Sequence, residues 1–586
     1  MERNKYDIDE KLEARFDGKK LKRALVYVKP YIKHMILAFV LMVTASVLNL
    51  LSPVFLEQAM DIAIPQKDVD FLIKLGIATA GVIISASVLD AIRGIIMSKV
   101  GQSMIYNLRM DLFTHLQKLP FQYYDSRPHG KILIRVVNYV NDVGEALTNG
   151  IVNALIDLLN IFFIAFFMFY LDPKLALYVL IGIPPLGILL FFMKNHQKRT
   201  NIIKNNKRSN LVAYTCESIQ GVKISEIFNR QEENMNIYKR LNREMRSSWL
   251  EWAIITNTMQ PTTEVLKEWI IALVYVAGII WITPSVEIGV VLAMATYASK
   301  FWQPVINMAN IYNNLLSTVS YLERIFETLD EPVDICDKPD ASDITDVQGE
   351  IEFKNVSFGY ETEQTVLKNV SFKIEPGQSV ALVGETGSGK STIVNLISRF
   401  YNVEDGMVFI DGKDINSITL NSLRSNMGVM LQDSFIFSGT VTDNVRYGKL
   451  DATDEEIINA CKIVCADKFI EKMPDGYETV ISENGGALSQ GEKQLIAFAR
   501  TIISDPKILI LDEATSTIDA KTESVLQQGI ANVLEGRTSI IIAHRLSTIK
   551  NCDVIMYIEN GEIVEKGTHE ELLKKQGKYY NLCKNQ

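Results

Sequence analysis

Gly384-Glu385-Thr386-Gly387-Ser388-Gly389-Lys390-Ser391 fits the phosphate-binding loop pattern G-x-x-x-x-G-K-[ST] at every fixed position. In such a loop the backbone N–H groups, with the positive end of the following helix, wrap an anionic phosphate. Lys390 is expected to reach the β- and γ-phosphates of a nucleotide, with the Ser391 hydroxyl on Mg²⁺ and Thr392 beside it. A second chemical group lies far downstream, where the apolar run Ile508-Leu509-Ile510-Leu511 ends in Asp512-Glu513. There Asp512 would hold Mg²⁺ through water, and Glu513, pointing elsewhere, would polarise an attacking water as general base. Upstream, Tyr360 offers a ring on which an adenine face can stack.

These residues need strands and helices to bring them together. The apolar run from Ser379 to Val383 reads as a buried strand and Ser391 to Phe400 as a helix, so the glycines fall where the chain must turn tightly. Residues 350–356 alternate polar and apolar, which predicts an edge strand ending near Phe358-Gly359-Tyr360. The run ending in Asp512 has the pattern of a buried parallel strand. Ligands of open parallel sheets gather at the carboxyl ends of the strands, where the glycine loop and the acidic pair can meet. The stretch 331–349, with Glu331-Pro332 and Asp337-Lys338-Pro339-Asp340, reads as a linker before an α/β domain over 350–586.

The first 330 residues have a different composition. The chain of 586 residues is 48% hydrophobic, and the excess is concentrated before about residue 310. Apolar stretches of roughly the 20 residues needed to cross a bilayer run from Met35 to Leu56, Phe71 to Met97, Ala154 to Tyr170, Leu175 to Met193, Leu266 to Ile282 and Val286 to Ile306. The fold class expected is therefore an all-α six-helix transmembrane domain followed by an α/β phosphate-loop NTPase domain. Lys19, Lys20, Lys22, Arg23, Lys29 and Lys33 precede the first span, and the long connections Ser98 to Asn153 and Lys194 to Val265 are rich in Lys and Arg. The short connections Leu171-Asp172-Pro173-Lys174 and Thr283-Pro284-Ser285 are not, which places both termini in the cytoplasm. In the long connections apolar residues recur at helical spacing, so the spanning helices are expected to continue past the bilayer. The formal charge of −9 carries little information here, and the basic residues are accounted for by topology, with no sign of nucleic-acid binding.

Ionisable residues within the spans need partners: Asp90 with Arg93 on one helix, Glu264, Lys267 and Glu268 after the expected kink at Pro261, and Lys300 deeper in the sixth span. Pairing and snorkelling account for each of them, against the alternative that Lys300 and the acidic group line a substrate cavity. The six cysteines have no CxxC spacing and are expected to be reduced thiols.

Leu488-Ser489-Gln490-Gly491-Glu492 resembles the LSGGQ signature of ATP-binding cassette (ABC) proteins. Gln432 in Met430-Leu431-Gln432-Asp433 and His544 in Ile541-Ile542-Ala543-His544-Arg545 match, in order, the glutamine loop and histidine switch of that family. The first half is similar to the six-helix exporter type, including Tyr124-Asp125 through Gly130 to Arg135 and Asp142 in the first long connection. The resemblance implies a half-transporter that pairs with a second one, each ATP lying between one chain's phosphate loop and the other's Ser489 and Gly491. It further implies that Gln432 senses Mg²⁺, that His544 contacts the γ-phosphate and that Asp519 lies at the dimer junction. Short helices at the turns of the two long connections would carry movement between domains.

The signature departs from the family pattern at Gln490, where glycine is usual, and at Glu492, where glutamine is usual. A carboxylate beside a helix end that receives phosphate opposes like charge, unless it turns into solvent or an ion pair. This pattern resembles one half of a heterodimeric exporter more than a homodimer. The expected activity is ATP-driven export of an amphipathic drug, lipid or peptide through the cytoplasmic membrane. A lipid flippase and a regulatory or channel-like ATP-binding protein are the alternatives.

Overall fold

The computed structural model describes residues 18–125, 127, 129–278, 287–360, 365–403, 405–430, 434–482, 485–486, 488–512, 528–534, 536–542 and 546–585. The chain divides into two compact units, Met1–Gln117 with His129–Asp330, and Lys118–Pro128 with Glu331–Gln586.

The first unit is helical. Its long helices are Ile32–Gln58, Val69–Leu116, Ile151–Leu171, Ile183–Gln220, Gln231–Val276 and Ile288–Leu329. At 1.5 Å per residue, the 48 residues of Val69–Leu116 extend about 72 Å, more than twice the hydrocarbon thickness. Among the described residues, three stretches are long and apolar enough to cross a membrane by length and composition: Arg23–Gln66, Val69–Leu116 and Ile132–Leu171. The expected fourth span is not continuous, because the chain breaks at Gly182 between helices Pro173–Ile181 and Ile183–Gln220. Pro184 and Pro185 lack the N–H groups that would bond back across Gly182, and a Cβ at Gly182 would stand 2.5 Å from Ile270 Cδ1. The end of the expected fifth span, the turn Thr283-Pro284-Ser285 and the start of the sixth lie outside the described residues. Pro261 stays inside a continuous helix.

Several polar groups in this unit find partners within one helix or on a neighbouring one. Asp90 pairs with Arg93 at 3.4 Å, and Lys267 pairs with Glu264 and, at 3.9 Å, with Glu268. Asp61 Oδ1 and Oδ2 accept from the backbone N–H groups of Gly289 and Val290 at 2.6 and 3.1 Å, capping the Ile288–Leu329 helix from a neighbouring one. Leu50, Met168, Val274, Met294, Phe301 and Trp302 are buried together as an apolar core. Pro53 inside the Ile32–Gln58 helix leaves the Asn49 carbonyl without its usual donor, and Lys300 Nζ supplies one at 2.8 Å.

The second unit contains strands β1 (Ile351–Phe358), β2 (Leu367–Ile374), β3 (Ser379–Val383), β4 (Asp405–Ile410), β5 (Lys413–Asp414), β6 (Met427–Met430), β7 (Gly439–Thr440), β8 (Val480–Ile481), β9 (Ile508–Asp512), β10 (Thr538–Ile542), β11 (Val554–Glu559) and β12 (Glu562–Gly567). One sheet has the order β2-β1-β4-β5 and a second the order β12-β11-β3-β10-β9-β6. In the second sheet β11, β3, β10, β9 and β6 are mutually parallel, and β12 is antiparallel at the edge. β1, expected at an edge, lies between β2 and β4. Alternation reports one buried face, which interior and edge strands of an antiparallel sheet share.

Residues 331–349 lie along this unit. Ser342 bridges to Ile418, Val347 and Ile344 are buried, and Asp337 Oδ1 accepts from Leu420 N at 2.7 Å. The segment Lys118–Pro128 also belongs here. Phe121 of the short helix Phe121–Asp125 packs on Phe400 with ring centroids 5.6 Å apart, and Tyr401 donates its hydroxyl to Asp125 Oδ2 at 3.0 Å.

Candidate nucleotide site

The glycine loop runs from the carboxyl end of β3 into the helix Lys390–Ile397. Gly389, the N-cap, has φ +108°, and a Cβ there would stand 2.7 Å from Leu367 Cδ2. At Gly384 a Cβ would collide with the Ile558 carbonyl. Both positions therefore demand glycine. Lys390 is 6% exposed, and its ammonium donates to the carbonyls of Gly384 and Glu385 at 2.9 and 2.8 Å, which holds the cation over its own loop.

The residues present fit a phosphate group. Ser388 Oγ is buried without a hydrogen-bond partner among the described residues, an orphan hydroxyl that a phosphate oxygen would satisfy. It stands beside the Lys390 ammonium in sequence and at the start of a helix whose first amides lack internal partners. Ser391 is exposed next to it, whereas Thr392 is buried and its Oγ1 lies 3.1 Å from the Tyr360 hydroxyl. Glu385 and Thr386 form the exposed part of the loop, with Gly387 at its turn.

Tyr360 is fixed at its polar end and its edges. Asn395 Nδ2 donates to its hydroxyl at 3.2 Å, and the ring meets Phe358 and Tyr401 edge to face at 5.2 and 5.0 Å. Burial and the hydrogen bond to Asp125 push the Tyr401 hydroxyl well above the ordinary tyrosine range.

The acidic strand end is placed by register. Asp512 of β9 pairs with Ile542 of β10, which pairs with Leu382 of β3, so Asp512 stands level with the end of β3 two strands away. At one strand spacing per step this is about 10 Å across the sheet. Glu513, Asp519 and His544 lie outside the described residues, as does Gln432, which follows the end of β6 by two positions. The described residues contain no cluster of three or more His, Cys, Asp or Glu able to hold a metal by themselves.

Ser489 is the N-cap of the helix Gln490–Ile502, and its hydroxyl accepts from Glu492 N at 3.3 Å. Glu492 Oε2 in turn accepts from the Ser489 N–H at 2.8 Å and from its hydroxyl at 2.9 Å, completing a capping box. The half-buried carboxylate thus occupies the helix end itself, and among the described residues no ion pair joins it to a cation. Gly491 is buried beside it. The pattern S-x-x-E was available in the sequence as a capping signal.

Arg500 and Asn444 carry a network that the sequence reading did not single out. Arg500, on the same helix as Gly491, donates to the carbonyls of Asn444 and Phe435 at 2.8 and 2.9 Å and to Asn444 Oδ1 at 2.8 Å. Asn444 Nδ2 donates to the Phe437 carbonyl at 2.9 Å. This ties the signature helix to the segment that follows Gln432.

Residues 35–305 match the ABC transporter transmembrane region, and residues 367–516 match the ABC transporter family. The ABC transporter ATP-binding protein YknV of Bacillus subtilis (strain 168) is 38% identical over 589 residues, covering 100% of this chain and 98% of that protein. The ATP-dependent lipid A-core flippase of Desulfotalea psychrophila is 32% identical over 571 residues, 96% of this chain and 99% of that one. Among solved structures, a bacterial Atm1-family ABC exporter with ATP bound superposes with a TM-score of 0.77 at 26% identity, over 97% of this chain and 99% of that one.

Proposed function

The chain belongs to the ABC transporters as an exporter half-transporter with an ATP-binding cassette, and from that premise we propose that it exports an amphipathic substrate, a drug, lipid or peptide, by alternating access. Its kind dimerises and couples ATP hydrolysis to transport. In this reading the chain is multi-pass in the cytoplasmic membrane, with both termini on the cytoplasmic side.

Bound ATP with Mg²⁺ supplies the γ-phosphoryl group and the metal charge that neutralises it. The observation that carries the reading is the glycine loop, with its orphan Ser388 hydroxyl and Lys390 ammonium at a helix start. Lys390 and the loop amides, from Gly384 to Gly389, would hold the phosphates. Ser391, Asp512 and Gln432 would hold the metal, Thr392 anchors Tyr360 through its hydroxyl, and Tyr360 would take the adenine. Glu513 would act as general base toward the attacking water, and His544 would contact the γ-phosphate. Ser489 and Gly491 would face the second chain's nucleotide, and Asp519 would lie at the dimer junction.

The second half-transporter is a different chain in this reading. Glu492 occupies the helix end that would meet a phosphate of like charge, so an orthodox signature is required from the partner. Val222, Ile224, Ile227 and Phe228, at and beside the short helix Val222–Ile227, are exposed and offer the second coupling surface to that partner. The flippase relative supports a lipid as one substrate.

Inside-out vesicles containing the complex should take up a fluorescent amphiphile only with ATP and Mg²⁺, and vesicles carrying Glu513→Gln should take up none. Uptake that continues in that variant overturns the reading.

A further inference from the structure

Three helices of the first unit bring polar side chains to one seam. Ser46 and Asn49 lie on Ile32–Gln58, Asp157 and Asn160 on Ile151–Leu171, and Lys300, Gln303 and Asn307 on Ile288–Leu329. Spacings of three, four and seven place the members of each set on one helix face. Ser46 Oγ donates to Asn160 Oδ1. Gln303 Nε2 donates to Asn307 Oδ1 at 3.0 Å, and Asn307 Nδ2 donates to Asp157 Oδ1 at 3.3 Å. The amide chain thus runs from the exposed Gln303 through the half-buried Asn307 to a carboxylate only 7% exposed.

A carboxylate in an apolar bundle is costly unless a cation or several donors meet it. Among the described residues Asp157 has one long amide hydrogen bond, and no Lys, Arg or His forms an ion pair with it. Lys300, seven residues and about 10 Å along the helix from Asn307, is engaged by the Asn49 carbonyl that Pro53 leaves open. Among the described residues the seam therefore supplies a negative group and the donors that aim it, while the Lys300 ammonium is engaged by the Asn49 carbonyl rather than by Asp157.

We infer that Asp157, aimed by Asn307 and Gln303, is the subsite for the positive charge of the transported amphiphile, so that this half-transporter selects organic cations over anions. The inference rests on the export reading and adds the charge of the substrate to it. The exposed Gln303 end of the chain is where a cation leaving the bilayer would enter, with its apolar body against the surrounding helices. Lys300 is the competing feature, since its ammonium would favour an anion.

The test uses the full complex in lipid nanodiscs, with empty discs subtracted, and two ions of the same shape and opposite charge, tetraphenylphosphonium and tetraphenylborate. The wild type should bind the phosphonium more tightly, and Asp157→Asn should weaken that binding by about tenfold or more while leaving the borate unchanged. Asp157→Glu should restore part of the phosphonium affinity. Unchanged phosphonium binding in Asp157→Asn, equal loss of both ions, or a wild-type preference for the borate would each overturn the inference. ATP hydrolysis by the same wild-type preparation reports separately on the export reading.

Discussion

Glu492 Oε2 accepts both the backbone N–H and the hydroxyl of Ser489, at 2.8 and 2.9 Å, so the start of the signature helix is closed by a carboxylate from its own first turn. The arrangement stabilises the helix, because an anion at a helix N-terminus satisfies orphan amides and complements the macrodipole. It also places negative charge where the family brings a phosphate.

Replacing Glu492 with Gln keeps a capping-box residue and removes the charge. ATP turnover by the assembled complex should rise about two- to tenfold, with the melting temperature nearly unchanged. Ser489→Ala should instead cost about 1 kcal/mol of stability through the lost cap. Paired ATPase rates and thermal melts check both, and an unchanged or lower rate in Glu492→Gln counts against the like-charge account.

The bond from Tyr401 to Asp125 ties the short helix Phe121–Asp125 to the nucleotide-binding unit, beside the ring of Tyr360. Tyr401→Phe should lower stability by about 1 kcal/mol and blunt the stimulation of ATPase by transported substrate, while basal turnover changes less. Because burial raises the Tyr401 hydroxyl above its ordinary range, it remains a protonated donor across about pH 6–9, and no loss of coupling from its ionisation is expected there. Substrate-stimulated rates over that range are the check.

Burial pushes the thiols of Cys461 and Cys552 up to about 12. A raised thiol keeps its proton in the folded state while the unfolded chain loses it, so the unfolded state binds fewer protons as pH rises above the ordinary thiol value. Stability from these groups is thus complete below that value and falls progressively between it and about pH 12. Melting curves should show a shallower alkaline decline in Cys461→Ala with Cys552→Ala than in the wild type. The exposed Cys216 and Cys336 should alkylate at neutral pH well before either buried thiol.

The second unit was the more legible in sequence, because its chemistry is local. A glycine loop between a strand and a helix, and an acidic pair after a buried strand, declare themselves within a few residues, and β3 and β9 lie where those patterns put them. What was not legible depends on distant partners. Arg500 and Asn444 are ordinary polar residues until the fold brings them together, and the alternation of β1 could not tell an interior strand from an edge. Asp157 is one carboxylate in the apolar run Ile151–Leu171 and hardly changes its average hydropathy, so only its burial and its contact with Asn307 single it out. Lys300 was visible as costly, but the carbonyl freed by Pro53 that engages it is on another helix.

Steady-state ATP hydrolysis by the purified complex, measured beside ATP binding for the wild type and Glu513→Gln, tests the central claim most directly. The account predicts sustained turnover in the wild type, and in the variant a loss of at least about a hundredfold with binding retained. Turnover in Glu513→Gln equal to that of the wild type would contradict it.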